Sequence, residues 1–272
     1  MRKRGVNAGE SIKEEKPGRG EETPNQNSAL ARGFAILRAF QHGDNHLGNA
    51  ELAERVGVPK ATVSRLTQTL AELGFLTYLE PIGKYELAPA VLSLGYAVLS
   101  RREIHAMARP LMQELARNSD VDVGLGVRDG MDLVVVESAR GRYSGGLTNT
   151  VVGRRIPIAL TTMGWAYVQA LSAAEQSEIF EAIRETYPDK AARIEARMLE
   201  AFQEIHEKGF CTGIGEFSPA YNSIGVPLRH PNGTSVLAMN LAGPSYLLPR
   251  DVLEERWGPR LRDIVTRLRG DI

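Results

Sequence analysis

The sequence of 272 residues contains a single cysteine, Cys211, and no long apolar run. One cysteine excludes an internal disulfide, so we expect a reducing, cytoplasmic setting. No apolar segment approaches the length that spans a bilayer, and the first residues lack the hydrophobic stretch of a signal peptide. Lys and Arg number 33, as do Asp and Glu, so the formal net charge is zero. This balance argues against a protein that coats a polyanion, and any nucleic-acid binding must come from cations placed locally.

Groups that hold metals or perform catalysis are equally scarce. His42 and His46 are four residues apart, but Gly43 and its polar neighbours predict a loop there, so surface histidines are the better interpretation. No nucleophile, base and orienting residue stand out as a set. Glu216 with Ser223 is a conceivable pair, but lining a pocket is the simpler role. The sequence therefore predicts no metal, no cofactor and no catalytic residue.

A helix-turn-helix is the clearest feature that is present. Residues 49–56, NAELAERV, predict a short helix, and Gly57 ends it as a glycine just beyond a helix end commonly does. In the next stretch, VPKATVSRLTQTLAELG, apolar residues at intervals of three or four predict the buried side of a second helix: Val63, Leu66, Leu70 and Leu73. Two short helices joined by a glycine-containing turn are the signature of this motif.

The other side of the second helix carries short polar groups, an amide and cations, with no acidic residue before Glu72. Arg and Lys can donate to guanine edges or phosphates, Gln can pair with adenine, and Thr methyl groups can pack on thymine. Residues 75–79 and 84–87 flank a Pro-Ile-Gly turn and predict a wing. The predicted DNA-binding residues are Lys60, Thr62, Ser64, Arg65, Gln68, Thr69 and, in the wing, Lys84. A small helical bundle with a hairpin and no role in DNA binding is the alternative.

Downstream of the wing, the pattern predicts a linker helix and then an α+β domain. Residues 89–99 are more apolar than a surface linker requires, so we expect this helix to pack on the same helix of a second subunit. Asp129-Gly130 and Pro231-Asn232-Gly233 predict hairpin turns between strands. Residues 147–158 predict a strand interrupted near Gly153, and residues 249–269 predict a final helix.

The order of these parts resembles the IclR family of bacterial transcriptional regulators over about residues 29–269. LAERVGVPKATVSRLTQTLAELGFL is similar to the family's DNA-binding core, and YELAPAVLSLG to its passage from wing to linker. GRRIPIALTTMGWA, GFCTGIGEFSPAYNSIGVPL and VLAMNLAGP are similar to segments of its C-terminal domain. The resemblance implies an α+β chain with an N-terminal winged helix-turn-helix, a linker helix and a GAF-like mixed α/β effector domain. The predicted domains are a disordered tail (1–27), the winged helix-turn-helix (28–88), the linker helix (89–102) and the effector-binding and oligomerisation domain (103–272).

In this family a helix N-terminus supplies backbone N–H groups to an acidic effector, which uses the unpaired donors and the dipole of the helix. Trp165 stands where lysine is usual, Ser223 where cysteine is common, and Asn240 in what is elsewhere a serine-containing strand. The resemblance implies a small organic acid or an aromatic compound as effector, bound in a pocket with few charges. The implied effector-binding residues are Thr161, Thr162, Met163, Gly164, Glu216, Ser223 and Asn240.

The resulting hypothesis is a ligand-responsive transcriptional regulator. It binds double-stranded operator DNA as a homodimer or as a tetramer of paired dimers, and RNA polymerase is a further candidate partner. Effector binding would bias the spacing of the two DNA-binding domains. Two alternatives stay open. The C-terminal domain could turn its ligand over, as an enzyme with a regulatory helix-turn-helix, or the chain could be a helical assembly module that never meets DNA.

Overall fold

The computed structural model describes residues 28–41, 43–99, 103–143, 150–229 and 236–270. Several features predicted from the sequence lie outside these described residues. They are the disordered tail, His42, the end of the linker at residues 100–102 and the turn at residues 231–233.

Helices and a hairpin form the N-terminal part of the chain. They are α1 (Ala29–Arg38), α2 (Asn49–Val56), α3 (Lys60–Glu72), β1 (Leu76–Leu79) and β2 (Lys84–Leu87). Gly57 has a left-handed backbone with φ +75° at the end of α2, which lets the chain turn directly into α3. The strands pair antiparallel from Leu76 opposite Leu87 to Leu79 opposite Lys84. The predicted winged helix-turn-helix is therefore confirmed.

A small apolar core holds these elements together. Its buried members come from all three helices, both strands and the loop before α2: Ile36, Leu47, Leu52, Val63, Leu70, Leu76 and Tyr85. Leu66 is half-buried at its edge. Leu73 was predicted to be buried as well, but its side chain is 64% exposed. The reason is that α3 ends at Glu72, and Leu73 is the residue at which the chain leaves the helix.

Two further helices lead into the second domain. The predicted linker helix is α4 (Pro89–Leu99), and α5 (Glu103–Ser119) follows it. Several large side chains of α4 are exposed, with Leu92 at 75% and Tyr96 at 68%. Exposed apolar side chains on consecutive turns are unusual for a surface that meets only water.

A six-stranded sheet with the order β5-β4-β3-β8-β7-β6 organises the second domain, and every neighbouring pair is antiparallel. Its strands are β3 (Asp122–Asp129), β4 (Asp132–Ala139), β5 (Arg155–Pro157), β6 (Cys211–Ile214), β7 (Tyr221–Arg229) and β8 (Val236–Pro244). Its helices are α6 (Thr162–Gln169), α7 (Ala173–Thr186), α8 (Ala191–Lys208) and α9 (Gly258–Gly270), the last preceded by a π-helical stretch, Val252–Trp257.

The two faces of the sheet differ because side chains alternate along each strand. Large apolar residues of β3, β7 and β8 pack against α5 and α9: Val123, Leu125, Ile224, Val226, Met239 and Leu241. The residues between them are small or polar: Gly124, Gly126, Ser223, Gly225, Ala238, Asn240 and Ala242. This second face meets α6, which packs in turn on α7 and α8. The alternation thus leaves room on one side of the sheet only.

One predicted strand was too long. Only Arg155–Pro157 of the strand predicted over residues 147–158 is strand among the described residues, because Gly153 turns the backbone with φ +88° just before it. The final helix covers its predicted range, and a π-helical stretch at Val252–Trp257 interrupts its first turns. In the described part of the chain, no helix has both the length and the apolar character needed to span a membrane.

Candidate DNA-binding surface and effector cavity

One side of α3 is exposed along its whole length. The predicted residues on it are Lys60, Ser64, Arg65, Gln68 and Thr69, all exposed, with Thr62 half-buried. Val63, Thr67 and Leu70 form the buried side. Glu72 follows at the last turn, where its Oε1 accepts a hydrogen bond from Gln68 Nε2 (3.1 Å). The exposed side therefore offers hydroxyl, amide and cationic groups, with a carboxylate only at its C-terminal end.

Lys84 is the first residue of β2, and its ammonium is engaged within the protein. Its Nζ lies 3.0 Å from Oε2 of Glu51 in α2. Glu51 also accepts a hydrogen bond from the backbone N–H of Gly48 (2.7 Å). The hydrogen bond from Gly48 is the main cause that holds the pKa of Glu51 below its ordinary value, and the contact with Lys84 is the next largest. The ion pair joins the wing to the first helix of the motif, so a phosphate would compete with Glu51 for Lys84.

An apolar groove lies beside α3. We use this name for the surface formed by Leu30 and Phe34 of α1, Leu73 after α3 and Leu94 of α4, which are 53–71% exposed. Thr62 and Arg65 border it. Sequence reasoning missed the groove because Leu73 was assigned to the core. The run of exposed apolar residues in α4 was the signal that pointed to it.

A cavity opens on the small-residue face of the sheet. The empty space within it, with the open mouth included, is about 660 Å³. Of the implied effector residues, Thr161, Thr162, Glu216, Ser223 and Asn240 line it. Sequence reasoning did not list the others: Thr150, Arg154, Arg155, Ile156, Pro157, Leu160, Trp165, Gly213, Phe217, Tyr221, Asn222 and Ala242.

Glycines allow the N-terminus of α6 to lie directly on the sheet. A Cβ on Gly225 would come 2.1 Å from the carbonyl oxygen of Thr162, and one on Gly213 would come 2.8 Å from Thr162 Cγ2. Within α6, a Cβ on Gly164 would come 2.1 Å from the carbonyl oxygen of Ile158. Because backbone atoms occupy the Cβ positions of Gly225 and Gly164, no side chain can replace these two glycines without moving α6.

The Gly164→Ala substitution is expected to destabilise the protein by about 1–3 kcal/mol, the usual cost of overpacking a core. The added methyl group would overlap the Ile158 backbone, which cannot rotate away as a side chain can. Urea unfolding followed by far-UV circular dichroism measures this effect. Gly95→Ala in α4 is the matched control, because nothing lies within 4 Å of its Cβ position. Equal unfolding midpoints for the two variants would contradict the packing argument.

Thr161 caps α6 and orients the end of the helix. Its Oγ1 accepts a hydrogen bond from the Gly164 N–H (3.2 Å). The first two N–H groups of the helix, those of Thr162 and Met163, have no acceptor within it. Thr162 Oγ1 donates to Ser223 Oγ (2.9 Å), which joins the helix terminus to β7. The structure thus brings Thr161, Thr162 and Ser223 together at one wall of the cavity.

Met163 and Gly164 do not line this cavity. The Met163 side chain is fully buried and lies over the glycines of β3, with its Sδ 2.6 Å from the Cβ position of Gly126. The Gly164 N–H is already used by the Thr161 cap. Met163 can therefore reach a ligand only through its backbone N–H, because its side chain points from α6 to the sheet.

Arg197 of α8 balances the charge of Glu216. Its Nε donates to Glu216 Oε1 (3.0 Å), and its Nη1 lies 3.2 Å from Glu204 Oε1. The guanidinium also stacks 4.7 Å from the ring centre of Trp165, whose Nε1 donates to the carbonyl of Ala159 (2.9 Å). Trp165 therefore both packs in the core and forms a cavity wall. Trp165, at the position where lysine is usual in the family, carries no charge. The carboxylate of Glu216 already forms an ion pair with Arg197.

Arg155 lines the cavity and connects this wall to the β3–β4 hairpin through ion pairs. Its Nε donates to Asp132 Oδ2 (2.9 Å), and its Nη1 donates to Asp129. The hydrogen bond from Arg155, more than any other contact, holds the pKa of Asp129 below its ordinary value. Asp129 also accepts a hydrogen bond from Arg38 of α1, which links the effector domain to the DNA-binding domain. The sequence feature that could have indicated this part of the cavity is the pair of arginines at 154 and 155, next to an apolar segment.

The described residues contain no group of three or more His, Cys, Asp or Glu side chains placed to hold a metal ion. Cys211 is fully buried in β6, and burial raises the pKa of its thiol above the ordinary value. A neutral, enclosed thiol is a packing group rather than a nucleophile or a metal ligand.

Both domains match families of known proteins. Residues 29–80 match the IclR helix-turn-helix domain, and residues 96–268 match the bacterial transcriptional regulator IclR C-terminal domain. The crystal structure of an IclR family transcriptional regulator from Brucella abortus is similar, with 38% sequence identity and a TM-score of 0.78. That similarity covers 90% of this chain and 92% of the other.

Two other proteins extend the comparison. The HTH-type transcriptional regulator TsaQ1/TsaQ2 of Comamonas testosteroni is 29% identical over 90% of this chain and 88% of its own length. An IclR homolog from Microbacterium hydrocarbonoxydans, solved as a complex with 4-hydroxybenzoate, has the same fold with a TM-score of 0.71. It is 18% identical, and the match covers 90% of this chain and 98% of that one. With both domain matches, a helix-turn-helix whose second helix is exposed and a cavity in its second domain, this chain belongs to the IclR family of transcriptional regulators.

Proposed function

We propose that the chain binds double-stranded operator DNA as a homodimer, and that a small organic acid or aromatic compound in the cavity alters operator affinity. The observation that supports DNA binding most directly is the exposed side of α3, which presents cations, hydroxyls and an amide before Glu72. A major groove admits a helix with these groups. Arg65 and Thr69 reach base edges in this proposal, and Lys60 contacts phosphate.

The apolar groove supports a homodimer. Phe34 and Leu94 belong to separate helices, yet both are more than half exposed on one continuous surface. A monomer in water would gain free energy by covering such a surface. A second copy of the same surface is the simplest cover, because twofold interfaces are self-complementary. A dimer would also present two α3 helices to a palindromic site.

The cavity lining supports an acidic or aromatic effector. The N–H groups of Thr162 and Met163, which have no acceptor within α6, favour a carboxylate at its N-terminus. Trp165 and Phe217 provide apolar surface suited to a ring. One relative of the same fold was solved with 4-hydroxybenzoate, which combines both properties.

A selection from genomic DNA tests the proposal. Sheared DNA of the organism that encodes the chain is incubated with full-length protein, retained fragments are sequenced, and an enriched fragment is labelled for fluorescence anisotropy. We expect tight binding that scrambled DNA does not show at either of two salt concentrations, because non-specific phosphate binding weakens steeply with salt. A library of organic acids should then contain one that changes this affinity. If no fragment is enriched, with or without the acid library, DNA binding is excluded.

The same acids distinguish regulation from catalysis. In our proposal a bound acid is recovered unchanged. Formation of product would favour the alternative of an enzyme with a regulatory helix-turn-helix.

A further inference from the structure

We propose that Asn240 forms a hydrogen bond with a hydroxyl group of the effector, so that the cavity selects hydroxylated acids over the same acids without the hydroxyl. This inference rests on the proposed effector site and narrows its ligand class. It assigns to Asn240 the role of a specificity-determining residue.

Asn240 is a buried polar residue with glycine on both neighbouring strands. It lies in β8, directly opposite Gly124 of β3 and Gly225 of β7. Its side chain is on the small-residue face, is only 7% exposed and lines the cavity. Because glycine has no side chain, neither residue directly opposite Asn240 can supply a side-chain partner for the carboxamide.

The carboxamide oxygen has no hydrogen-bond donor among the described residues. The groups that surround the Cβ position of Gly124 are Asn240 Oδ1 (2.8 Å), the Thr150 methyl carbon (2.5 Å) and the Met163 methyl carbon (3.1 Å). Methyl groups donate no hydrogen bond. A buried carbonyl without a partner is unfavourable, and native proteins supply a partner for most such groups.

A ligand hydroxyl is the group that meets this need. The terminal torsion of asparagine is broad and roughly twofold, so the carboxamide can rotate to present its oxygen to the cavity. A hydroxyl can donate to that oxygen or accept from the amide nitrogen, whereas a carboxylate can only accept and a C–H group can do neither. An acid without the hydroxyl would fill the cavity, exclude water and leave the carboxamide unpaired. A site built for a hydroxyl rejects the analogue that lacks it for this reason.

Isothermal titration calorimetry of full-length protein tests the inference with two matched pairs of acids. The pairs are 4-hydroxybenzoate with benzoate, and lactate with propionate. We expect the hydroxylated member of at least one pair to bind about ten- to a hundredfold more tightly than its partner. Asn240→Leu should weaken the hydroxylated member and bring the two affinities within a few fold of each other. Asn240→Ser, which keeps a hydrogen-bonding group, should retain part of the preference.

Phe217→Leu is the control, because Phe217 lines the cavity with apolar surface only and should affect both members of a pair alike. Thermal unfolding of every variant shows whether it folds. Equal affinity of wild-type protein for both members, or equal weakening of both by Asn240→Leu, would overturn the inference.

Operator binding is measured on the same samples without acid. Intact operator binding together with no binding of any acid would overturn hydroxylated acids as the ligand class and leave the DNA-binding proposal standing. Hydroxyl selectivity without operator binding would support hydroxylated acids as the ligand class and overturn the DNA-binding proposal.

Discussion

The Arg65→Ala substitution is expected to weaken operator binding by about 1–3 kcal/mol and to relax the sequence preference at one position of the site. Arg65 is exposed in the middle of α3, on the side that carries Lys60 and Gln68. A guanidinium can donate two hydrogen bonds to the O6 and N7 acceptors of guanine. No other base presents this pair of acceptors in the major groove. Fluorescence anisotropy with the selected operator and with single-base variants of it measures both effects.

Arg193→Ala is the matched control for Arg65. It also removes an exposed arginine from a helix, but that helix is α8 of the effector domain. The control should bind the operator like the wild-type protein. If Arg65→Ala lowered affinity equally for operator and scrambled DNA, Arg65 would contact phosphate rather than a base edge. Unchanged affinity and preference would remove Arg65 from the interface.

If the apolar groove joins two subunits as proposed, the Phe34→Glu substitution is expected to convert the dimer into monomers and to lower operator affinity by about 10²–10⁴-fold, the usual gain from linking two binding modules. Phe34 is 53% exposed in the apolar groove, so glutamate is tolerated in a monomer. In a dimer joined by this groove the carboxylate would lose hydration against apolar side chains, which is unfavourable. Sedimentation velocity measures the oligomeric state, and anisotropy measures the affinity.

Leu199→Glu serves as the control for Phe34. Leu199 is an apolar residue of α8 with a similar exposure of 56%. Its replacement should leave both the oligomeric state and the operator affinity unchanged. A dimer that persists in Phe34→Glu would show that another surface joins the subunits. A monomeric wild-type protein would show that the groove is not a dimer interface.

The DNA-binding domain could be predicted closely because its signals are local. The spacing of Val63, Leu66 and Leu70 determines which side of α3 is buried, and Gly57 determines where α2 ends. Neither inference needs a contact between distant parts of the chain. The exception was Leu73, where the helix ended before its apolar pattern did.

The effector cavity could be predicted only in part, because distant segments form it. The resemblance located the N-terminus of α6, but the sequence gives no sign that Arg197 stacks on Trp165 and forms an ion pair with Glu216. Side-chain direction was another obstacle, since Met163 follows Thr162 directly and yet points to the sheet. Both features depend on how α6 and α8 pack on the small-residue face.

The enclosed thiol of Cys211 makes this protein convenient for spectroscopic distance measurements. It is the one cysteine of the 272-residue sequence, and a neutral buried thiol reacts slowly with alkylating labels. A cysteine introduced at an exposed position of the wing, as in Glu80→Cys, would be the single reactive site per subunit. Two spin labels in a symmetric dimer would then report one distance between the two wings. If effector binding moves the DNA-binding domains as proposed, the movement could be followed as a change in that distance, with the native cysteine left in place.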